Sequence, residues 1–164
     1  MKKAAAGSSR RTIGNRGRPG AGKVSAKVPK AVQVAAALVF HRGRLLVTQR
    51  PVGSHLAGYW EFPGGKREAG ETFKNCLIRE IREELGIKIK PGQCLAQVTH
   101  SYPEKRVHIR FFLADWEGGQ PQAIGCAAWL WVNREELASL VFPAADQKLL
   151  ERLKDRASLW ARKG

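Results

Sequence analysis

The amino-acid sequence predicts an α/β fold in which a mixed β-sheet carries helices on both faces. Residues 32–40 (Val-Gln-Val-Ala-Ala-Ala-Leu-Val-Phe) form an apolar run of strand length, and residues 45–48 repeat it after a turn. Phe73, Leu77, Ile81 and Leu85 recur at helical spacing between a capping Thr72 and a terminating Gly86. Strand-like segments return at 94–101, 106–116 and 127–132, ahead of two further helical patterns. The resulting order, β-β-α-β-β-β-α-α, calls for layers, because each amphipathic helix must bury its stripe against the sheet.

Each element has a local cause. Arg42-Gly43-Arg44 supplies the turn of a first hairpin. A loop through Gly53 and Gly58 leads to Tyr59-Trp60-Glu61-Phe62, after which Pro63-Gly64-Gly65 is expected to break the chain sharply. The helix from Thr72 runs to about Leu85. Segments 94–101 and 106–116 pair around Tyr102-Pro103-Glu104-Lys105. In the strand at 127–132 side chains alternate, which puts Trp129 and Trp131 on one face, read as core. Asn133 and Glu136 have the spacing of a capping box. The last helix follows Pro143, with Leu149, Leu150, Leu153, Ala157 and Trp160 on its apolar side and Lys148, Arg152, Lys154 and Arg156 on a solvated one.

Charge divides the chain. Of its 29 Lys and Arg residues, nine lie in residues 1–30, which hold no Asp or Glu; the rest carries 20 basic and 14 acidic residues, a net of +6. Residues 1–30 are rich in Gly, Ser, Ala and Arg and too poor in apolar residues to fold alone, so they predict a disordered tail ahead of one domain at 31–164. Such a tail suits weak nucleic-acid contact or an organellar transit peptide. Within it, residues 17–23 mimic a P-loop, but Val24 stands where magnesium needs Ser or Thr and no strand precedes it. No stretch approaches the roughly 18 apolar residues of a membrane span. Cys76, Cys94 and Cys126 form no CxxC pair and predict buried reduced thiols in a cytoplasmic protein. A monomer is expected.

The chemistry concentrates between Gly65 and Ile87. Five carboxylates (Glu68, Glu71, Glu80, Glu83 and Glu84) crowd this short stretch of a basic chain beside a glycine turn. At about 100° per residue, Glu80, Glu83 and Glu84 fall within one arc of about 100° bordering the apolar stripe. Arg79 stands four residues before Glu83, where an ion pair orients that acid. Hard divalent cations prefer such oxygen ligands, and a Gly64-Gly65 turn exposes a bare backbone carbonyl to the same ion.

The spacing Gly65-x5-Glu71-x7-Arg79-Glu80-Ile81-x-Glu83-Glu84-x-Gly86-Ile87 fills each fixed position of the Nudix box, and the chain resembles Nudix hydrolases over about residues 32–153. The resemblance implies an α/β/α sandwich and Mg2+, with Mn2+ able to substitute, held by Gly64, Glu80, Glu83 and Glu84. It implies that one acid, foremost Glu80, activates water, with Glu71 and Arg79 in support. Leu46-Val-Thr-Gln-Arg50, His55, Trp60-Glu61-Phe62-Pro63-Gly64-Gly65-Lys66 and Phe142-Pro-Ala-Ala-Asp146 are similar to the MutT branch, the 8-oxo-dGTP diphosphatases. That branch implies substrate contacts at Arg50, His55, Glu61, Phe62, Pro63, Gly64 and Asp146. The expected reaction converts a nucleoside triphosphate to a monophosphate and pyrophosphate.

Two departures stand out. Asp146 occupies a position where the branch often has Asn, and an ionised Asp accepts hydrogen bonds without donating them; the change also suits a hydrolase of CTP or another noncanonical nucleotide. Residues 118–132 contain no Asp or Glu, although many relatives place an acid there; Asp115, Glu117 or Glu104 would have to stand in. A catalytically silent module that binds oxidised guanine is the rival from another class, and the complete Glu80, Glu83, Glu84 set speaks against it. His41, His100 and His108 read as surface residues. The base-reading role of Asp146 competes with simple capping of the last helix.

Overall fold

The computed structural model describes residues 31–161. The basic extension and the P-loop-like segment 17–23 lie outside the described residues. Seven strands and four α-helices follow in order: β1 (Val32–His41), β2 (Arg44–Gln49), β3 (Trp60–Glu61), β4 (Gly64–Lys66), α1 (Phe73–Leu85), β5 (Lys88–Ser101), β6 (Arg106–Gly118), β7 (Ala128–Val132), α2 (Arg134–Ser139), α3 (Gln147–Lys154) and α4 (Ala157–Trp160). The sheet has the order β3-β2-β1-β6-β5, with β4 pairing on β1 and β7 on β2. Only the β1–β6 pairing is parallel among these, so the sheet is mixed as expected.

The apolar run of β1 is buried on both faces, which is why it does not alternate in polarity. Ala36, Leu38 and Phe40 join one core with Leu45, Val47, Phe62, Phe111, Leu149 and Leu153. Ala35, Ala37 and Val39 face the other way, into a core with Leu46, Leu77, Ile81, Leu85 and Phe112. Helix α1 therefore covers one side of the sheet while α2 and α3 cover the other, giving the α/β/α layering.

The ends of α1 follow its sequence. The Thr72 side chain accepts from the Asn75 amide at 3.1 Å, and Gly86 closes the helix at φ 68° while its N–H donates to the Arg82 carbonyl. The capping box of α2 is also present.

Several expectations need correction. Pro63-Gly64-Gly65 does not break the chain, because Gly64, Gly65 and Lys66 pair with Ala36, Ala35 and Val34 as β4. Residues 60–61 are a strand, and β5 begins at Lys88, its pairing interrupted by bulges. The last helix is two: Arg156, at φ −102° and ψ 71°, separates α3 from α4, leaving Ala157 exposed and Leu159 buried in its place. Cys94 is exposed, whereas Cys76 and Cys126 are buried. Trp129 and Trp131 share a face but are only partly buried. His41, His100 and His108 are half-buried; His41 packs edge-on against Trp116. Among the described residues no helix is long and apolar enough to cross a membrane.

Candidate active site

Two neighbouring regions meet at the corner between β3 and β4. The first is the acidic edge of α1. Glu84 reaches back to β4, its Oε2 accepting from the Gly64 amide at 3.3 Å. Gly64 has φ 151°, and a Cβ there would fall on the Ala35 carbonyl, so only glycine lets β4 lie this close to β1. The Glu80 carboxylate occupies the space a Cβ on Gly65 would fill. Both glycines are therefore seats for helix carboxylates.

Arg79 organises the remaining acids. Its Nε and Nη2 donate to the two oxygens of Glu71 at 3.0 and 3.1 Å, and its Nη1 donates to Glu80 at 2.8 Å and Glu83 at 3.2 Å. Nη2 also reaches the Lys66 carbonyl at 3.2 Å, tying α1 to β4. A bidentate guanidinium is well matched to this task because its donors are fixed in a plane. Glu71 further accepts from the Glu68 amide, and the Arg79 bonds hold its carboxyl below the usual range. Glu83 is the outermost, its side chain 61% exposed.

Electrostatics distinguish Glu84. Burial, then the neighbouring charges of Glu61 and Glu80, push its carboxyl up to about 8 against the pull of the Gly64 amide. Among the described residues no three acidic, histidine or cysteine side chains converge closely enough to hold a metal ion in this arrangement. Arg79 draws Glu80 and Glu83 to itself while Gly64 keeps Glu84. Beneath them, Cys76 donates weakly to the Gly65 carbonyl at 3.7 Å, and burial with nearby Glu71 and Glu80 pushes its thiol up to about 12.

The second region is a cavity of about 170 Å³ on the other side of the corner. Phe62 and Phe111 line it, as do Arg50, Glu61, Tyr102 and Asp146. Arg50 is paired with Glu61, and its Nε donates to the His55 carbonyl at 2.6 Å. Phe62 serves both core and wall: it is buried, edge-on to Phe111 and packed beside Phe142. Pro63 is buried and does not line the cavity; its carbonyl accepts from the Ala37 amide at 2.8 Å.

Asp146 is only 6% exposed. It starts α3 yet makes no capping hydrogen bond, which removes the simple capping account of its presence. Burial and the Glu61 charge push its carboxyl up to about 7, opposed by Arg50. Burial raises Glu61 as well, again against Arg50. A carboxyl that titrates near neutrality can both donate and accept hydrogen bonds in a ligand pocket.

The mouth of the cavity holds residues that sequence reasoning passed over. Tyr102, which the sequence predicts only as part of a turn, lines the cavity, meets the His55 ring edge-on at 5.3 Å and receives the Lys105 ammonium over its face at 5.8 Å. His55 Nδ1 lies 3.3 Å from the Glu104 carboxylate, so Glu104 belongs to this clasp rather than to the acidic edge of α1. Asp115 and Glu117 are exposed on β6. An aromatic residue within an otherwise polar turn was the available signal for Tyr102.

A family model described as the NUDIX domain matches residues 34–152. A CTP pyrophosphohydrolase of Escherichia coli is 36% identical over 122 residues, covering 74% of this chain and 90% of the relative. An 8-oxo-dGTP diphosphatase of Haemophilus influenzae is 36% identical over 125 residues, covering 76% of this chain and 92% of the relative. The crystal structure of the MutT protein from Methanosarcina mazei Go1 superposes with a TM-score of 0.71 at 30% identity, covering 82% of this chain and 99% of that one. The solution structure of the E. coli ORF135 protein gives 0.69 at 35%, covering 79% and 92%.

Proposed function

This chain belongs to the Nudix hydrolase family, enzymes that act on phosphorus-containing anhydrides, and from that premise we propose that it is an 8-oxo-dGTP diphosphatase. The observation that carries the reading is the juxtaposition at the β3–β4 corner. Carboxylates of α1 rest on Gly64 and Gly65, and a cavity holding Arg50, Glu61 and Asp146 opens on the adjoining side. The first region suits a polyphosphate and its cation; the second suits a base.

The donor set fits a divalent cation. Glu80, Glu83 and Glu84 offer only hard oxygen ligands on one edge of α1, the chemistry magnesium prefers. The raised Glu84 carboxyl, crowded by Glu61 and Glu80, is where an added cation would restore the ionised form. With Gly64, these residues would hold Mg2+ or Mn2+, and the ion would polarise phosphate oxygens and lower the pKa of bound water. To hold the ion, Glu80 and Glu83 would give up their hydrogen bonds from Arg79. Glu80, seated over Gly65, takes the proton of the attacking water. Water adds to phosphorus at the α–β linkage, the bridging P–O bond breaks, and the monophosphate and pyrophosphate depart. Arg79 and Glu71 keep the helix edge oriented. Arg50, His55, Glu61, Phe62 and Asp146 hold the nucleoside.

A turnover panel of 8-oxo-dGTP, dGTP and CTP, scored by pyrophosphate release, tests this reading. The highest kcat/KM is expected on 8-oxo-dGTP. Preference for CTP would move the chain to the activity named for its E. coli relative, a reading also compatible with Asp146. Glu80→Gln and Glu84→Gln each keep side-chain shape but lose the charge, so each is expected to lower turnover roughly a hundredfold or more with the fold intact. Wild-type rates in a folded variant would remove that residue from the mechanism.

A further inference from the structure

The loop between β6 and β7 carries no acid, yet it is bound to the box helix at the point where Glu84 projects. Glu84 is the penultimate residue of α1. The last carbonyls of a helix lack intrahelical partners, and such ends fray unless something binds them. Here the Ile124 and Gly125 amides both donate to the Glu84 carbonyl, at 3.0 and 3.1 Å, and the Gln122 amide donates to the Leu85 carbonyl at 3.0 Å. The loop is anchored at its far end by the Ala127 amide, which donates to the Gln49 carbonyl on β2 at 2.8 Å.

The same loop also abuts the stem of the Glu84 side chain. A Cβ on Gly125 would lie 3.2 Å from the Glu84 Cα and 3.3 Å from its Cγ, so any side chain there would press on the carboxylate's own support. Gly125 does not occupy the left-handed region, so alanine changes this contact without demanding an unusual backbone. The buried Cys126 follows directly, near enough that the Glu84 charge helps raise its thiol after burial itself.

We propose that residues 122–126 are a positioning brace for Glu84, with Gly125 as its critical residue. Where an acidic loop would add a charge to the site, this loop fixes a charge that α1 already provides. The proposal rests on the reading of Glu84 as a cation ligand. Its reach depends on two amides converging on one carbonyl, so displacement of the loop frees both the helix end and the carboxylate that meets Gly64.

The test is a double-mutant cycle of Gly125→Ala and Glu84→Gln in the full chain. Mn2+ dissociation constants are read by electron paramagnetic resonance, with Tm measured alongside. Gly125→Ala is expected to weaken Mn2+ binding roughly tenfold with little change in Tm, and to have no further effect once Glu84 is already Gln. Multiplicative losses beside a weakened Glu84→Gln variant would overturn the brace alone. Undiminished Mn2+ binding by Glu84→Gln would overturn the cation-ligand reading and the brace with it. Hydrogen exchange on the wild-type chain needs no variant to fold: the Gln122 and Gly125 amides, which donate to α1, are expected to be protected, and exchange at free-loop rates would sink the proposal.

Discussion

Asp146 changes the recognition problem that an amide at the same place would solve. Ionised, it can accept from the N7–H that 8-oxoguanine has and guanine lacks, but it repels O6. Protonated, it can donate to O6 and accept from N7–H at once, whereas guanine offers two acceptors to that pair. Because its carboxyl is pushed up to about 7, both forms are populated near neutrality. The preference for 8-oxo-dGTP over dGTP is therefore expected to fall as pH rises through about 7. Asp146→Asn should flatten that dependence while keeping the preference, and Asp146→Ala should compress it by roughly one to two orders of magnitude. A pH-independent preference in the wild type would remove Asp146 from base reading. Stability follows the same proton. The folded-state value lies above the ordinary 3.8, so the contribution is present below about pH 4 and is lost as pH rises through about 7. Denaturant midpoints for wild type and Asp146→Asn should accordingly separate in favour of the variant at about pH 8 and converge at low pH.

At the scale of elements, β4 and α1 act as one unit, with Gly65 as the joint. A methyl group on Gly65 falls on the Glu80 carboxylate. Gly65→Ala is expected to lower kcat about a hundredfold, since displacement by roughly 1 Å can cost that much, while Tm changes little. A kcat within twofold of wild type would show that the seat is dispensable. How much of this unit was legible in the sequence differs between its halves. The limits of α1 were readable because Thr72 and Gly86 act on their own neighbours, and the arc of carboxylates follows from helical periodicity alone. Strand β4 was not readable: glycines signal a break, and only pairing with β1 across some thirty residues of chain makes these extended. Asp146 was legible as a candidate but its burial was not, because the local sequence places it at a helix start and the packing of other elements closes over it. Tyr102 escaped for a related reason. Its place in the site exists only once the loop bearing His55 meets the β5–β6 turn.

For the whole molecule, both cores are built from residues within 35–159, one on each face of a central β1. The family match likewise begins at residue 34. The nine basic residues of 1–30 carry much of the charge, and their removal takes the formal net charge from +15 to +6. Val32 opens β1, and Val32 and Val34 line the cavity with Lys66 and Lys105. Deleting residues 1–30 is expected to leave Tm within about 2 °C and kcat unchanged, because the segment is too poor in apolar residues to bury much surface; a shift of that size corresponds to roughly 0.5 kcal/mol in a domain of this size. Affinity for nonspecific DNA should fall, and the slope of log K against log salt should shrink by roughly 0.7–0.9 for each cation no longer in contact. Titrations at several salt concentrations with both chains separate the cases. An unchanged slope would show that the extension does not touch the polyanion, and a large drop in Tm would show that the folded domain depends on it.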